Sequence, residues 1–189
     1  MKKALLIIGL MFSTLTYGQV DYPESSEGVF NKNKEVRLGV ARLLLGNSLD
    51  VGFEKIIDRN QSFGANMLIG FNDRDFDTSQ VFSLSPYYRF YFNRSQEYGA
   101  KGMFVEGFLD FYSGKTEVYN YVPFSENYED YYKEKSFFDI AGGFALGWKW
   151  VNTAGFVFET KIGYGRNILD ENPNAEGIFR GDFSVGYRF

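Results

Sequence analysis

Two absences limit the side chains that could do chemistry in this chain: the sequence contains no His and no Cys. Histidine is the side chain that exchanges protons near neutral pH, so the acid–base and nucleophilic mechanisms that depend on it are excluded. The carboxylates of Glu106 and Asp110 leave one route, glycoside hydrolysis, but both fall on a strand facing an interior too narrow for a sugar. We therefore predict a non-enzymatic protein with no catalytic residue, cofactor or metal ion.

Twelve charged side chains, Glu106 and Asp110 among them, recur at alternate positions of largely apolar segments. Alternate residues of a β-strand share one face, and on this face the charges stand among Gly, Ala and Ser. Six are positive and six are negative, and buried charges must be paired. The predicted ionic network of the lumen contains Arg37, Glu54, Arg89, Glu106, Asp110, Asp139, Lys149, Glu159, Lys161, Arg180, Asp182 and Arg188. The alternative is a thin polar pathway for ions or water.

Eight segments with a period of two position these charges, and polar clusters separate the segments. They cover residues 34–45, 48–57, 61–71, 80–93, 100–114, 135–151, 154–166 and 177–189. Several reach ten or more residues, the length that a tilted strand needs to cross a bilayer. In the first segment, Arg42 falls on the apolar face of Val36 and Leu38 unless a bulge intervenes.

The apolar face of these segments is rich in Phe, Tyr, Trp, Leu, Val and Ile and carries almost no charge. In the fourth segment, Phe82, Leu84 and Phe90 share this face, whereas Ser83 and Arg89 lie opposite. A soluble sheet would bury the apolar face and expose long charged side chains to water, whereas lipid requires the reverse. A secreted soluble barrel of the lipocalin type is the alternative.

The lengths of the connections alternate after the first one, which is tight around Gly46-Asn47 although it falls on the side of the longer connections. The short ones are Asp58–Asn60, Asn93–Gly99 and Asn152–Thr153, and the longer polar ones are Asn72–Ser79, Lys115–Glu134 and Asn167–Glu176. Short periplasmic turns and long extracellular loops are typical of outer-membrane barrels, and an even strand number closes the sheet without an edge in lipid. We predict an all-β fold, a closed antiparallel eight-stranded transmembrane β-barrel.

The first 18 residues have the pattern of a secretory signal peptide, with Lys2 and Lys3 before a short apolar run. Cleavage near Gly18-Gln19 would leave residues 19–33 as a lead-in and 34–189 as the barrel, placed in the bacterial outer membrane. Loss of the two lysines changes the formal net charge from −4 to −6. That charge argues against nucleic acid as a partner, since nucleic-acid binding needs a basic face.

Four stretches resemble the small outer-membrane β-barrel family common in Bacteroidota, which is built like the OmpA-type or OmpX-type eight-stranded barrel. They are PYYRFYF (86–92), GMFVEGF (102–108), GWKWVNTAGFVFETKIGYGRN (147–167) and GDFSVGYRF (181–189). The resemblance covers residues 34–189 and implies the fold, the membrane and a C-terminal aromatic signal, Tyr187 with Phe189, read by the barrel-assembly machinery. It brings no catalytic or binding residue.

The longest predicted loop, residues 115–134, is the candidate contact surface. It carries Tyr119, Tyr121, Tyr128, Tyr131 and Tyr132 beside acidic residues, and tyrosine suits binding loops because it gives contact area at low entropic cost. The alternative is a β-hairpin that extends the two flanking strands. The loop at 72–79 has three Asp but lacks the Gly and the terminal Glu of a calcium loop.

These observations predict a structural or interaction protein with a plugged lumen. It would support envelope integrity or act as an accessory subunit of an outer-membrane complex. Its predicted partners are outer-membrane lipid, the assembly machinery, and another outer-membrane protein or an extracellular ligand. The alternative is a narrow pore or a small-ligand transporter.

Overall fold

The computed structural model describes residues 32–71, 80–92, 99–119, 132–169 and 176–189. The predicted signal peptide and most of the lead-in lie outside the described residues. The described residues form eight β-strands and one short helix. The strands are β1 (Lys34–Gly39), β2 (Ser48–Ile56), β3 (Gln61–Gly70), β4 (Gln80–Tyr91), β5 (Gly102–Tyr119), β6 (Tyr132–Val151), β7 (Phe156–Asn167) and β8 (Gly177–Arg188), and helix α1 is Val40–Leu45. Among the described residues, no helix is both long and apolar enough to cross a membrane.

The strands pair antiparallel in chain order, and β8 pairs with β1 to close the barrel. Following the register from Lys34 through every strand leads to Phe179, whereas Lys34 itself pairs with Phe189. The register therefore advances ten residues in one circuit, which requires strands tilted by roughly 35–45°. This confirms the predicted closed, antiparallel, eight-stranded barrel.

Side chains alternate between a buried lumen face and an exposed outer face. In β4, Ser83, Ser85 and Arg89 are buried, whereas Leu84 and Phe90 are more than two-fifths exposed. The same alternation makes the outer face of the other long strands apolar and aromatic. A chain with this pattern buries its charges and exposes its apolar side chains, the reverse of a soluble sheet.

The two ends of the barrel differ in their connections. At the end we call the short-turn end, the amides of Ile57 and Asp58 bond to the Gln61 carbonyl, and Asn152 caps the turn into β7. The opposite, long-loop end carries the connections around 72–79, 120–131 and 170–175, which lie outside the described residues. Strands β5 and β6 continue in register to the pair Tyr119 and Tyr132, so the segment predicted as the loop 115–134 is partly strand.

The prediction that the first strand runs to residue 45 is wrong, because β1 ends at Gly39 and residues 40–45 form α1. The helix packs against β2 and β8. A continued strand would turn Arg42 outward, whereas the helix keeps its Nε 3.7 Å from Asp50 Oδ2. The chain then turns back at Asn47, which has a left-handed φ of 44°. The wall between β8 and β2 is therefore completed by helix at the long-loop end.

Candidate functional site: the ionic lumen

The lumen contains all twelve charged side chains selected from the sequence pattern, each at most 9% exposed. Two more acidic residues, Glu35 and Asp50, are also buried there and were missed. Alternation could have found both, since Glu35 shares the face of Arg37 and Asp50 shares the face of Glu54. Apart from Asp139, these charges fall into two groups along the barrel axis, one of which also includes Arg42 and the neutral Asn66. The short-turn cluster comprises Glu35, Arg37, Glu54, Arg89, Glu106, Lys149, Glu159 and Arg188, and the long-loop cluster comprises Arg42, Asp50, Asn66, Asp110, Lys161, Arg180 and Asp182.

Arg89 is the centre of the short-turn cluster. Its Nε donates to Glu106 Oε2 at 2.7 Å, and its Nη1 lies 2.7 Å from both Glu54 Oε2 and Glu159 Oε2. Its Nη2 donates to Glu159 Oε1 at 2.8 Å. Arg37 pairs with Glu54 at 2.7 Å and also with Glu159. One planar guanidinium thus holds three carboxylates from three other strands, a use of its fixed fork of donors that lysine could not reproduce.

Lys149 and Arg188 extend the cluster toward the short-turn end. Lys149 Nζ lies 2.8 Å from Glu35 Oε2 and 2.7 Å from Glu54 Oε1. Arg188 Nε donates to Glu35 Oε1 at 2.7 Å, and its Nη1 and Nη2 donate to the carbonyls of Gly99 and Ala100. The strand β8 is thereby tied across the lumen to the turn before β5. This end of the barrel is closed by ionic and backbone contacts together.

Aromatic rings fill the space between these charges. The guanidinium carbon of Arg89 lies 4.3 Å from the ring centroid of Phe104 and 4.5 Å from that of Tyr87. The hydroxyl of Tyr91 donates to Glu54 Oε1 at 2.7 Å. Phe104 and Phe108 are also buried on the charged face of β5, and their rings stack on Arg89 and Arg180. Cation–π contacts of this kind are stronger when desolvated.

The ion pairs of the long-loop cluster are longer than those of the short-turn cluster. Lys161 Nζ and Arg180 Nη1 approach Glu106 Oε1 only to 3.7 and 4.0 Å. With its amide oxygen toward the cations, Asn66 accepts hydrogen bonds from Lys161 Nζ at 2.8 Å and Arg180 Nη2 at 2.9 Å. Arg180 Nη1 and Glu106 Oε1 are buried without a hydrogen-bond partner among the described residues. The pairing of charge is therefore incomplete in this half.

Two acidic residues of the predicted network are held by neutral donors. Asp110 accepts hydrogen bonds from the hydroxyls of Ser83 and Ser85. Asp139 accepts from the backbone amides of Ile140 and Leu169 near the long-loop end. Glu106 and Asp110 thus have separate partners, Arg89 and the serines. No group of acidic residues suited to a metal ion occurs in the part of the chain that the structure describes.

Small cavities lie inside the barrel. Two cavities of about 10 Å³ each lie beside the long-loop cluster, one against Arg180 and Ser83 and one against Lys161 and Asp182. A cavity needs roughly 10–15 Å³ to hold a single water molecule. Each of these spaces therefore admits about one water molecule, whereas a hydrated ion is larger.

The predicted sites outside the lumen are described only in part. Tyr119 and Tyr132 are paired at the ends of β5 and β6, whereas Tyr121, Tyr128 and Tyr131 lie outside the described residues. Tyr187 packs edge to face against Phe156, with ring centroids 5.7 Å apart. Phe189 is about half exposed, and its amide donates to the carbonyl of Lys34. The role of Tyr187 and Phe189 as an assembly signal stays a prediction.

No protein-family model and no curated protein matches the chain. A solved structure, the N-terminal β-barrel domain of OprF from Pseudomonas aeruginosa, is similar with a TM-score of 0.52 and 10% sequence identity, over 86% of this chain and 100% of that chain. The fold is that of an OmpA-like barrel. At this identity the likeness concerns the fold alone, so the chemistry of the lumen has to be interpreted from the residues described above.

Proposed function

We propose that this protein is a non-enzymatic, integral outer-membrane barrel whose lumen is plugged, and that it acts through its long-loop end as a structural or interaction protein. The observation that carries the proposal is the short-turn cluster, in which Arg89 joins three buried glutamates. A pore needs a water-filled path, and here the cross-section is occupied by paired charges and aromatic rings. The outward apolar face and the OmpA-like fold support the membrane location.

The interaction part of the proposal concerns residues 115–134 with their five tyrosines. The contact would be made with another outer-membrane protein or an extracellular ligand, and β5 and β6 extend in register to carry this segment beyond their neighbours. Pull-down from detergent-solubilised membranes of the source organism tests it, with the double variant Tyr121→Ser/Tyr128→Ser as the matched control. Recovery of the same proteins with both forms counts against a contact through this segment.

Conductance across planar bilayers tests the plugged lumen. We expect purified protein to give no steady conductance, because each described lumen cavity admits about one water molecule. The double variant Lys161→Ala/Arg180→Ala is the informative control, since it removes two long side chains that line these cavities. Steady conductance of the unaltered protein would contradict the proposal.

The second candidate function is a narrow pore, and the long-loop cluster is the observation that favours it. Its ion pairs are longer, and Arg180 Nη1 has no hydrogen-bond partner among the described residues, so this half is the less tightly bonded part of the lumen. A pore would then be limited by Arg89 and its partners alone. Steady conductance of the unaltered protein that rises in Arg89→Ala but not in Arg180→Ala would support a pore with this constriction.

A further inference from the structure

A groove crosses the outer face of the barrel over strands β4 to β7. It has a volume of about 700 Å³, and its outer lining is apolar apart from one charged residue. Tyr88, Leu109, Phe144 and Tyr164 form its raised borders, and its floor includes two glycines, Gly107 and Gly142. The remaining residue on its border, Arg166, lies on the outward side of β7.

The two floor glycines are not required by packing. A Cβ atom at Gly107 would meet its nearest neighbour, a Phe144 ring carbon, at 3.7 Å, and one at Gly142 would meet Leu109 Cδ2 at 3.5 Å. Both distances are ordinary van der Waals contacts. Gly177, also on the outer face, differs, because a Cβ there would lie 2.6 Å from the Tyr164 hydroxyl. Glycine inside a strand is destabilising, and at residues 107 and 142 its main structural effect is to leave the groove open.

Arg166 is exceptional on this face because its neighbours at alternate positions, Tyr164 and Ile168, are exposed and uncharged. Within the described part of the chain its guanidinium has no hydrogen bond or ion pair. It lies ten residues along β7 from Phe156, which in a strand tilted by about 40° corresponds to roughly 25 Å along the barrel axis. That is about the height of the apolar band of an outer-membrane barrel, so the guanidinium lies at headgroup level.

We propose that this groove binds a phosphate-bearing membrane lipid, with one acyl chain against Gly107 and Gly142 and the phosphate on Arg166. The inference rests on the membrane location given under Proposed function. The guanidinium presents a fork of donors that matches phosphate and forms charge-assisted hydrogen bonds with it. Charge complementarity thus fixes the headgroup, and the apolar floor accommodates the chain below it.

A second copy of the barrel would fit this surface less well. Two copies in one membrane related by a two-fold axis present the same patch to each other at the same depth. Arg166 would then face Arg166 of the second copy, and like charges placed opposite each other across an interface repel. A lipid phosphate neutralises this charge instead.

Lipid retention by the full-length protein tests the proposal. Native mass spectrometry from mixed micelles would compare dioleoyl phosphatidylglycerol with dioleoylglycerol, which has the same chains and no phosphate. We expect Arg166→Gln to lower retention of the phosphate lipid about tenfold while retention of dioleoylglycerol changes little. We expect Gly142→Leu, which fills the floor, to lower retention of both.

Two matched variants separate this site from general lipid contact. Lys55→Gln removes an exposed cation near the short-turn end, and Thr160→Leu enlarges an exposed outward residue on β7 away from the groove. Both should retain lipid like the unaltered protein, and heat-modifiable gel mobility checks that every variant is folded. Equal retention in all variants would overturn the proposal. The proposal would also be overturned if the unaltered protein formed a dimer and Gly142→Leu dissociated it, because the groove would then bind a second copy.

These outcomes are separate from those of the proposed function. A folded barrel that conducts ions but retains the phosphate lipid through Arg166 overturns the plugged lumen and leaves the lipid site intact. A barrel that does not conduct and retains both lipids equally overturns the lipid site and leaves the plugged lumen intact.

Discussion

The two halves of the lumen use the same kinds of charge in different ways. In the short-turn cluster, Arg89 and Lys149 lie 2.6–2.8 Å from their main carboxylate partners. In the long-loop cluster, the ion pairs of Lys161 and Arg180 with Glu106 span 3.7 and 4.0 Å. The first half is densely hydrogen-bonded apart from Glu106 Oε1, whereas the second retains small cavities and a guanidinium nitrogen, Arg180 Nη1, without a hydrogen bond among the described residues.

Side-chain length explains much of this difference. The short-turn cluster pairs Arg and Lys with Glu, and these long side chains reach across the barrel to meet near its axis. The acidic residues of the long-loop cluster are Asp, whose shorter side chains stay near their own strands, where Asp110 binds Ser83 and Ser85. Breaking a densely hydrogen-bonded buried network should therefore cost much more than altering one with longer ion pairs.

The largest expected effect is that of Arg89→Met in the short-turn cluster. The change leaves Glu54, Glu106 and Glu159 buried with fewer cationic partners, and removing one partner of a buried ion pair costs about 3–5 kcal/mol. Urea unfolding in lipid vesicles, followed by gel mobility, measures the free energy of unfolding. Arg89→Lys is the control and should recover only part of the loss, since an ammonium has three donors and no planar fork, whereas Arg89 donates to four carboxylate oxygens.

A smaller effect is expected for Tyr91→Phe. The hydroxyl of Tyr91 is buried and donates to Glu54 Oε1 at 2.7 Å, and a hydrogen bond to a charged group contributes about 1.5–3 kcal/mol. The remaining partner of that oxygen, Lys149, limits the loss to the lower end of this range. The same unfolding measurement applies, with Tyr164→Phe as control, because the hydroxyl of Tyr164 is exposed and has no hydrogen bond among the described residues. A loss no larger than that of the control would show that the Tyr91 hydrogen bond is not part of the network.

The smallest effect is expected for Arg180→Met in the long-loop cluster, about 1 kcal/mol or less. One of its guanidinium nitrogens has no hydrogen-bond partner among the described residues, and its ion pair with Glu106 is 4.0 Å long. Methionine also retains contact with the Phe108 ring. If Arg180→Met destabilises the barrel as much as Arg89→Met, the distinction between the two halves fails.

Much of the barrel follows from sequence because a period of two assigns each side chain to a face without any knowledge of its partners. The lumen positions of Arg89 and Lys149 are of this kind. The pairing of these charges cannot be read from sequence in this way. Arg89 and Glu159 are 70 residues apart in the chain, and they make contact only because of how the eight strands are aligned in the closed barrel. The register of eight strands therefore decides which charges touch, and single segments do not encode it.

Helix α1 shows where the sequence pattern was insufficient. A short apolar run such as Val40–Leu45 fits a buried strand or a helix equally well. In a continued strand Arg42 would lie on the apolar outer face, which indicates that the strand is interrupted. The sequence pattern predicts a bulge as the interruption. The structure uses a helical turn instead, which brings Arg42 to Asp50 and its amide to Asp182. Tertiary contacts, which local propensity does not include, decide this choice.

The short β1 strand also has a kinetic consequence. Its pairing with β8 covers Glu35 to Gly39, whereas β5 and β6 pair from Gly102 to Tyr119. Hairpins between neighbours in sequence form early, and contacts between the two ends of a chain form late because long loops must close first. We therefore expect the hydrogen bonds between β1 and β8 to form last during folding and to break first during unfolding. Amide hydrogen exchange should be faster at Val36 and Leu38 than at Leu146, in the middle of the β5–β6–β7 ladder.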